Sequence, residues 1–221
     1  MDQHFFQNPK YLPRSSLLSQ GMTLIEVLVG IGILLLIGSG ILLFERTVLQ
    51  SARMAQTNLD VQQQVRRTLA RFSAELRAAK PSASGTYAIE SAGTSSIVFF
   101  VNDDTATDTE RVRYFLATSS AGTVYNVIKK GVTKPAGTVY NLANESITTV
   151  VQNMKNTSST PLFNYYDESY AGTSTELSIP INVSSIRHVE MDIFVQEAVG
   201  RGTTTKEYST HASIRNLKGN Y

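Results

Sequence analysis

Gly21-Met22-Thr23-Leu24-Ile25-Glu26 opens a stretch that continues from Val27 to Phe44 without a charged residue. Those eighteen positions are mostly Leu, Ile, Val and Gly. At about 1.5 Å rise per residue, this run together with Met22 to Ile25 is long enough to cross a bilayer as a helix. A helix that is apolar all round differs from the amphipathic helix of a soluble core. A cleaved secretory signal carries an apolar stretch of about 7–15 residues that ends at a small-residue site. Here the run leads directly into Glu45-Arg46, so an uncleaved signal anchor is the stronger competitor. Glu26 is the anomaly, a carboxylate four residues after Met22 at the edge of a segment suited to lipid. Such a group costs about 2.5–3.5 kcal/mol at a membrane helix centre and less near its end, so either a partner or an interfacial position is expected.

Residues 1–21 ahead of this segment are polar, contain Lys10 and Arg14, and read as a tail. Lys10 and Arg14 before the span face Arg46 and Arg53 after it, so counting positive charges leaves the orientation open. A small Gly21 at a potential cut, Met-Thr-Leu-Ile, Glu26 and the apolar run together resemble the N-terminus of type IV prepilins and type II secretion pseudopilins. The resemblance implies a leader over residues 1–21, cut by a prepilin peptidase between Gly21 and Met22, and N-methylation of the new Met22 amino group. It further implies that Glu26 pairs with the N-terminal ammonium of another subunit, which supplies the partner that the energetics ask for. Most members carry Phe where this chain has Met22. The implied partners are the peptidase, other pilin or pseudopilin subunits, an inner-membrane assembly platform and membrane lipid. The implied location is the cytoplasmic (inner) membrane, single-pass with the carboxy-terminal domain outside the cytoplasm, and then the filament.

Beyond Phe44 neither Pro nor Gly occurs until Pro81, which points to one helix from about Met22 to about Lys80, transmembrane over about 22–44. Val65, Leu69, Phe72, Leu76 and Ala79 form an apolar stripe at helical spacing, suited to packing on a sheet. Arg66, Arg67, Arg71 and Arg77 lie mostly off it, as a solvated face does. Gly30, Gly32, Gly38 and Gly40 suit close helix packing in lipid. In filaments of the resembled family part of this helix can lose regularity, and Gly38-Ser39-Gly40 is the softest place.

From residue 81 to 221 the composition turns to Thr, Ser, Val, Tyr and Gly. Ile97–Val101 reads as a buried strand, and Arg111–Leu116 alternates with Val112, Tyr114 and Leu116 on one face. Val124–Lys129 would pair with it across Ala121-Gly122. Val189, Met191, Ile193 and Val195 mark the clearest half-buried strand, with Tyr208–Ile214 as its hairpin partner. A long helix followed by consecutive strands predicts an α+β fold, an antiparallel sheet laid on the helix. Leu162-Phe163-Asn164-Tyr165-Tyr166-Asp167 and Ser213-Ile214-Arg215-Asn216-Leu217-Lys218 resemble features of J-type minor pseudopilins and W-type minor pilins. That likeness implies a place at the filament tip or in the priming of assembly.

The chain has 221 residues, 42% of them apolar and 17% charged, enough for one modest domain beside a membrane segment. A net charge of +2 gives no basic field for nucleic acid, and without cysteine there is no disulfide, thiolate zinc site or thiol nucleophile. His4, His188 and His211 lack a neighbouring motif, and no phosphate loop or zinc spacing is present, so neither an enzyme nor a cofactor is expected. Asn102-Asp103-Asp104, with Asp108 and Glu110, raises calcium binding, but a solvated hairpin tip fits better because the spacing of a calcium hand is missing. Tyr165, Tyr166 and Tyr170 read as core and edge residues before they read as a sticky patch. The leading expectation is a minor pilin or pseudopilin. A major pilin, or a membrane-anchored binding or adhesion protein that keeps its leader, stands as the alternative.

Overall fold

The computed structural model describes residues 22–102, 108–118, 126–157, 160–172, 175–199 and 202–215. They belong to two compact units, and the chain divides between them after Leu49. One helix, α1 (Leu24–Arg77), contributes to both. In the first unit the large apolar side chains from Met22 to Phe44 are 44–83% exposed, so none of them belongs to a protein core. This part of α1 is long and apolar enough to span a membrane. The helix stays regular through Gly38 and Gly40, and the Ser39 hydroxyl donates to the Leu36 carbonyl at 2.8 Å.

The second unit is α+β, as the pattern predicts. Its strands are β1 (Ile89–Ala92), β2 (Ser96–Val101), β3 (Glu110–Thr118), β4 (Asn126–Thr133), β5 (Pro135–Ala136), β6 (Val139–Tyr140), β7 (Ser146–Met154), β8 (Phe163–Tyr166), β9 (His188–Val199) and β10 (Gly202–Ser213). The main sheet runs β1-β2-β3-β4-β7-β9-β10, and β8 pairs with β9 beside the short contact that β9 makes with β7. Every pairing is antiparallel. β5 and β6 form a separate small hairpin. The sheet curls so that the turn between β1 and β2 meets the start of β8. There the Thr94 carbonyl accepts from the Leu162 and Phe163 amides at 2.8 and 3.1 Å, and the Tyr165 hydroxyl donates to the Gly93 carbonyl at 2.9 Å.

The predicted stripe Val65, Leu69, Phe72, Leu76 and Ala79 is buried, and Val61 extends it by one turn. It meets inward side chains of the sheet, among them Phe99, Val112, Tyr114, Ile128, Phe163, Met191 and Ile193. Phe72 is the centre of this contact, with ring centroids at 5.3 Å from Tyr114, 5.6 Å from Phe163 and 6.2 Å from Phe99. Arg66, Arg67, Arg71 and Arg77 are exposed, as their offset from the stripe predicts. Tyr165 and Tyr166 are buried in the sheet, and burial raises both phenol pKa values, so both stay protonated.

Polar groups lock the helix to the sheet. Glu75 and Lys130 are both buried and ion-paired, Tyr114 donates to Glu75 at 2.9 Å, and Arg71 reaches the same carboxylate at 2.6 Å from the surface. Nearer the amino-terminal end of the unit, the Asn58 amide donates to the Ala198 carbonyl at 2.7 Å and accepts from the Ala198 amide at 3.0 Å, as a neighbouring strand would. Asn156, fully buried, accepts from the Phe194 amide at 2.9 Å and donates to the Asp192 carbonyl at 2.8 Å, joining the end of β7 to β9. An unpaired buried amide costs about 1–3 kcal/mol, so these contacts set register as well as adding stability.

Candidate functional site

The candidate site is the start of α1. Met22 and Thr23 precede the helix, and Glu26 lies in its first turn. The first amides of a helix lack intrahelical acceptors, and the aligned peptide dipoles place partial positive charge at that end. Here the Glu26 carboxylate turns back to accept from the Thr23 amide at 3.3 Å and from the Thr23 hydroxyl at 3.4 Å. Thr23-Leu24-Ile25-Glu26 thus has the spacing and part of the bonding of a capping box. The Thr23 carbonyl begins the helix by accepting from the Glu26 and Val27 amides at 3.0 and 3.2 Å. Both contacts are long and solvent-exposed, so the carboxylate retains capacity for a stronger donor. Met22 is 71% exposed. Gly21, and with it the expected cut, lies outside the described residues. In the sequence the signal of this capping box is Thr23 followed three residues later by Glu26.

The other candidates resolve into structural roles where they can be followed. Glu110 is buried and pairs with Lys134 at 3.3 Å, Asp108 is exposed, and Asp103 and Asp104 lie outside the described residues. No group of three metal-ligating side chains forms among the described residues. His188 sits at the start of β9 with its Nδ1 2.9 Å from the Ser213 hydroxyl, and His211 in β10 contacts Glu190 at 2.9 Å. His4 and Asn216 to Lys218 lie outside the described residues.

One acidic constellation went unread in the sequence. Asp192 on β9 is 8% exposed, its Oδ2 accepts from the Asn164 amide at 2.9 Å, and its Oδ1 is buried without a partner. Burial, then the charges of Glu190, Glu207 and Glu176, push its pKa up to about 7. Alternation places Asp192 on the face opposite the apolar Met191 and Ile193, which suggests a solvated residue. Burial of that second face is the part that alternation does not report.

No family model, curated protein or solved structure matches this chain.

Proposed function

We propose that this chain is a minor pilin or pseudopilin, a structural and assembly subunit of a type IV pilus or type II secretion-like filament. A prepilin peptidase cuts it between Gly21 and Met22 and methylates Met22. The observation that carries the reading is Gly21-Met22-Thr23-Leu24-Ile25-Glu26 standing where an apolar, uncovered helix begins. Physical chemistry supports the arrangement. A cut after Gly21 leaves an ammonium on Met22, two residues before the first helical residue, where it meets the positive end of the helix dipole. A carboxylate in the first turn offsets both charges, and it can exchange its long contacts with Thr23 for the ammonium of a neighbouring subunit. In this reading the lipid-facing helix stores the subunit in the inner membrane, and an assembly platform moves it into the filament beside other pilins.

A second reading has its own support. Glu26 is already engaged within its own helix end, so its presence does not by itself require a second subunit. A signal-anchored binding protein that keeps its leader would use the same capping. Shearing filaments from cells and quantifying this chain against the bulk subunit separates the readings. A minor subunit is present at a small fraction of the bulk subunit, and a major pilin dominates the sheared material. A chain absent from filaments and found only in the membrane would overturn the proposal.

A further inference from the structure

The two ends of the main sheet are finished differently. β1 is four residues long, its register with β2 shifts between Ile89 and Ser91, and it packs beside the turn Val183–Ser185. Short length, irregular register and cover are the means by which sheets protect an edge from pairing with other chains. β10, at the other end, has none of these. It pairs with β9 in unbroken register from Gly202↔Val199 to Ser213↔His188, and it contains no proline. At 12 residues it is about twice the usual strand length. Its lysine, Lys206, is held by Glu197 at 2.6 Å. Among the described residues β9 is the one strand that pairs with it, so its outer edge presents unpaired N–H and C=O groups.

The same edge carries an uncompensated charge. Cross-strand partners Phe194↔Glu207, Asp192↔Ser209 and Glu190↔His211 put Glu207, Ser209 and His211 on the face that holds Glu190 and Asp192. Glu176 adds to this field. Glu190 accepts from Tyr166 at 2.6 Å and contacts His211, but no lysine or arginine among the described residues pairs with Glu176, Glu190, Asp192 or Glu207. Side chains at alternate positions of an added strand would stand beside Glu207, Ser209 and His211 on this face.

We infer that β10 is a docking edge for an extended segment of another polypeptide that carries lysine or arginine at alternate positions and adds to the sheet as a further strand. Backbone hydrogen bonds to β10 supply the affinity, and the acidic face selects the basic side chains. A second copy of this chain fits less well, because a continuous sheet would bring the same carboxylates together on one surface. The inference concerns the second unit and does not depend on filament assembly.

The test uses the full chain in detergent and an acetylated, amidated nonapeptide of alternating valine and lysine, followed by fluorescence anisotropy and amide exchange. The expected result is saturable binding that protects alternate amides between Gly202 and Ser213. It should weaken about tenfold or more in Glu207→Lys, an exposed change, and in a peptide N-methylated at alternate amides. No saturable binding up to about 1 mM peptide, equal binding of the N-methylated or a valine-glutamate peptide, or binding that leaves β10 unprotected would each overturn it. Protection of β10 that grows with protein concentration in the absence of peptide would assign the edge to a second copy and equally overturn it.

Discussion

Two carboxylates in this chain sit where carboxylates are costly, and each finds a different solution. Glu26 stands at a helix start, where the dipole and the Thr23 donors favour its charge. The substitutions Glu26→Gln and Glu26→Ala divide its two roles. Glutamine keeps an acceptor for the cap and loses the charge, whereas alanine loses both. If the charge is used between subunits, both variants lower filament incorporation to a similar degree. Full incorporation of Glu26→Gln would reduce the residue to a cap. Asp192 takes the other course and binds its proton more tightly, since burial and the neighbouring Glu190, Glu207 and Glu176 lift its pKa from 3.8 to about 7. The folded state then binds this proton more tightly than the unfolded state. The group therefore leaves stability unchanged below about pH 4 and reduces it as pH rises from there to about 7, with the loss retained above. Asp192→Asn imitates the protonated form and keeps the acceptor for Asn164. It should raise the Tm more at pH 8 than at pH 5, where part of the loss has already set in, as thermal melts at the two pH values would show. An equal shift at both would mean that titration is not the cause.

At the scale of elements, packing of α1 against the sheet depends on one buried pair as well as on the apolar stripe. Lys130→Met leaves Glu75 with Tyr114 and Arg71 but without its buried cation, and should destabilise the domain by about 3–5 kcal/mol. Combining it with Glu75→Leu should recover much of that loss, since a buried pair is often replaceable by apolar side chains. A denaturant titration in which the double variant is less stable than Lys130→Met alone would contradict this. Gly131 has a related use. A Cβ there would lie 2.2 Å from Oε1 of Glu145, the carboxylate that Arg113 grips at 2.9 and 2.5 Å from the neighbouring strand. Gly131→Ala should displace Glu145 and cost about 1–2 kcal/mol, measurable in the same titration.

These elements also show what periodicity conveys. The stripe from Val65 to Ala79 and the alternation of Val112 with Tyr114 and of Val189 through Val195 were readable, because burial of one face imposes a period. Glu75 and Lys130 lie in phase with buried neighbours, at Phe72 plus three and Ile128 plus two. Their phase alone marks them as inward charges of opposite sign. Their contact, like that of Asn58 with Ala198, joins residues distant in the chain, and local patterns carry no such information. β7 and β8 were less legible, because β8 has four residues and β7 has its exposed half on both faces.

At the level of the whole molecule, the described residues comprise an exposed apolar helix start, long enough to span a membrane, and an α+β unit whose sheet ends on the long strand β10. In the proposed function, the chain becomes a filament subunit through a cut between Gly21 and Met22. The most direct test is the N-terminal sequence and intact mass of the protein taken from its native membrane, with the prepilin peptidase present and with it deleted. The account requires an N-methylated Met22 terminus only when the peptidase is present, and residues 1–21 retained when it is absent. Retention of residues 1–21 in both strains would contradict the claim and leave an uncleaved membrane anchor.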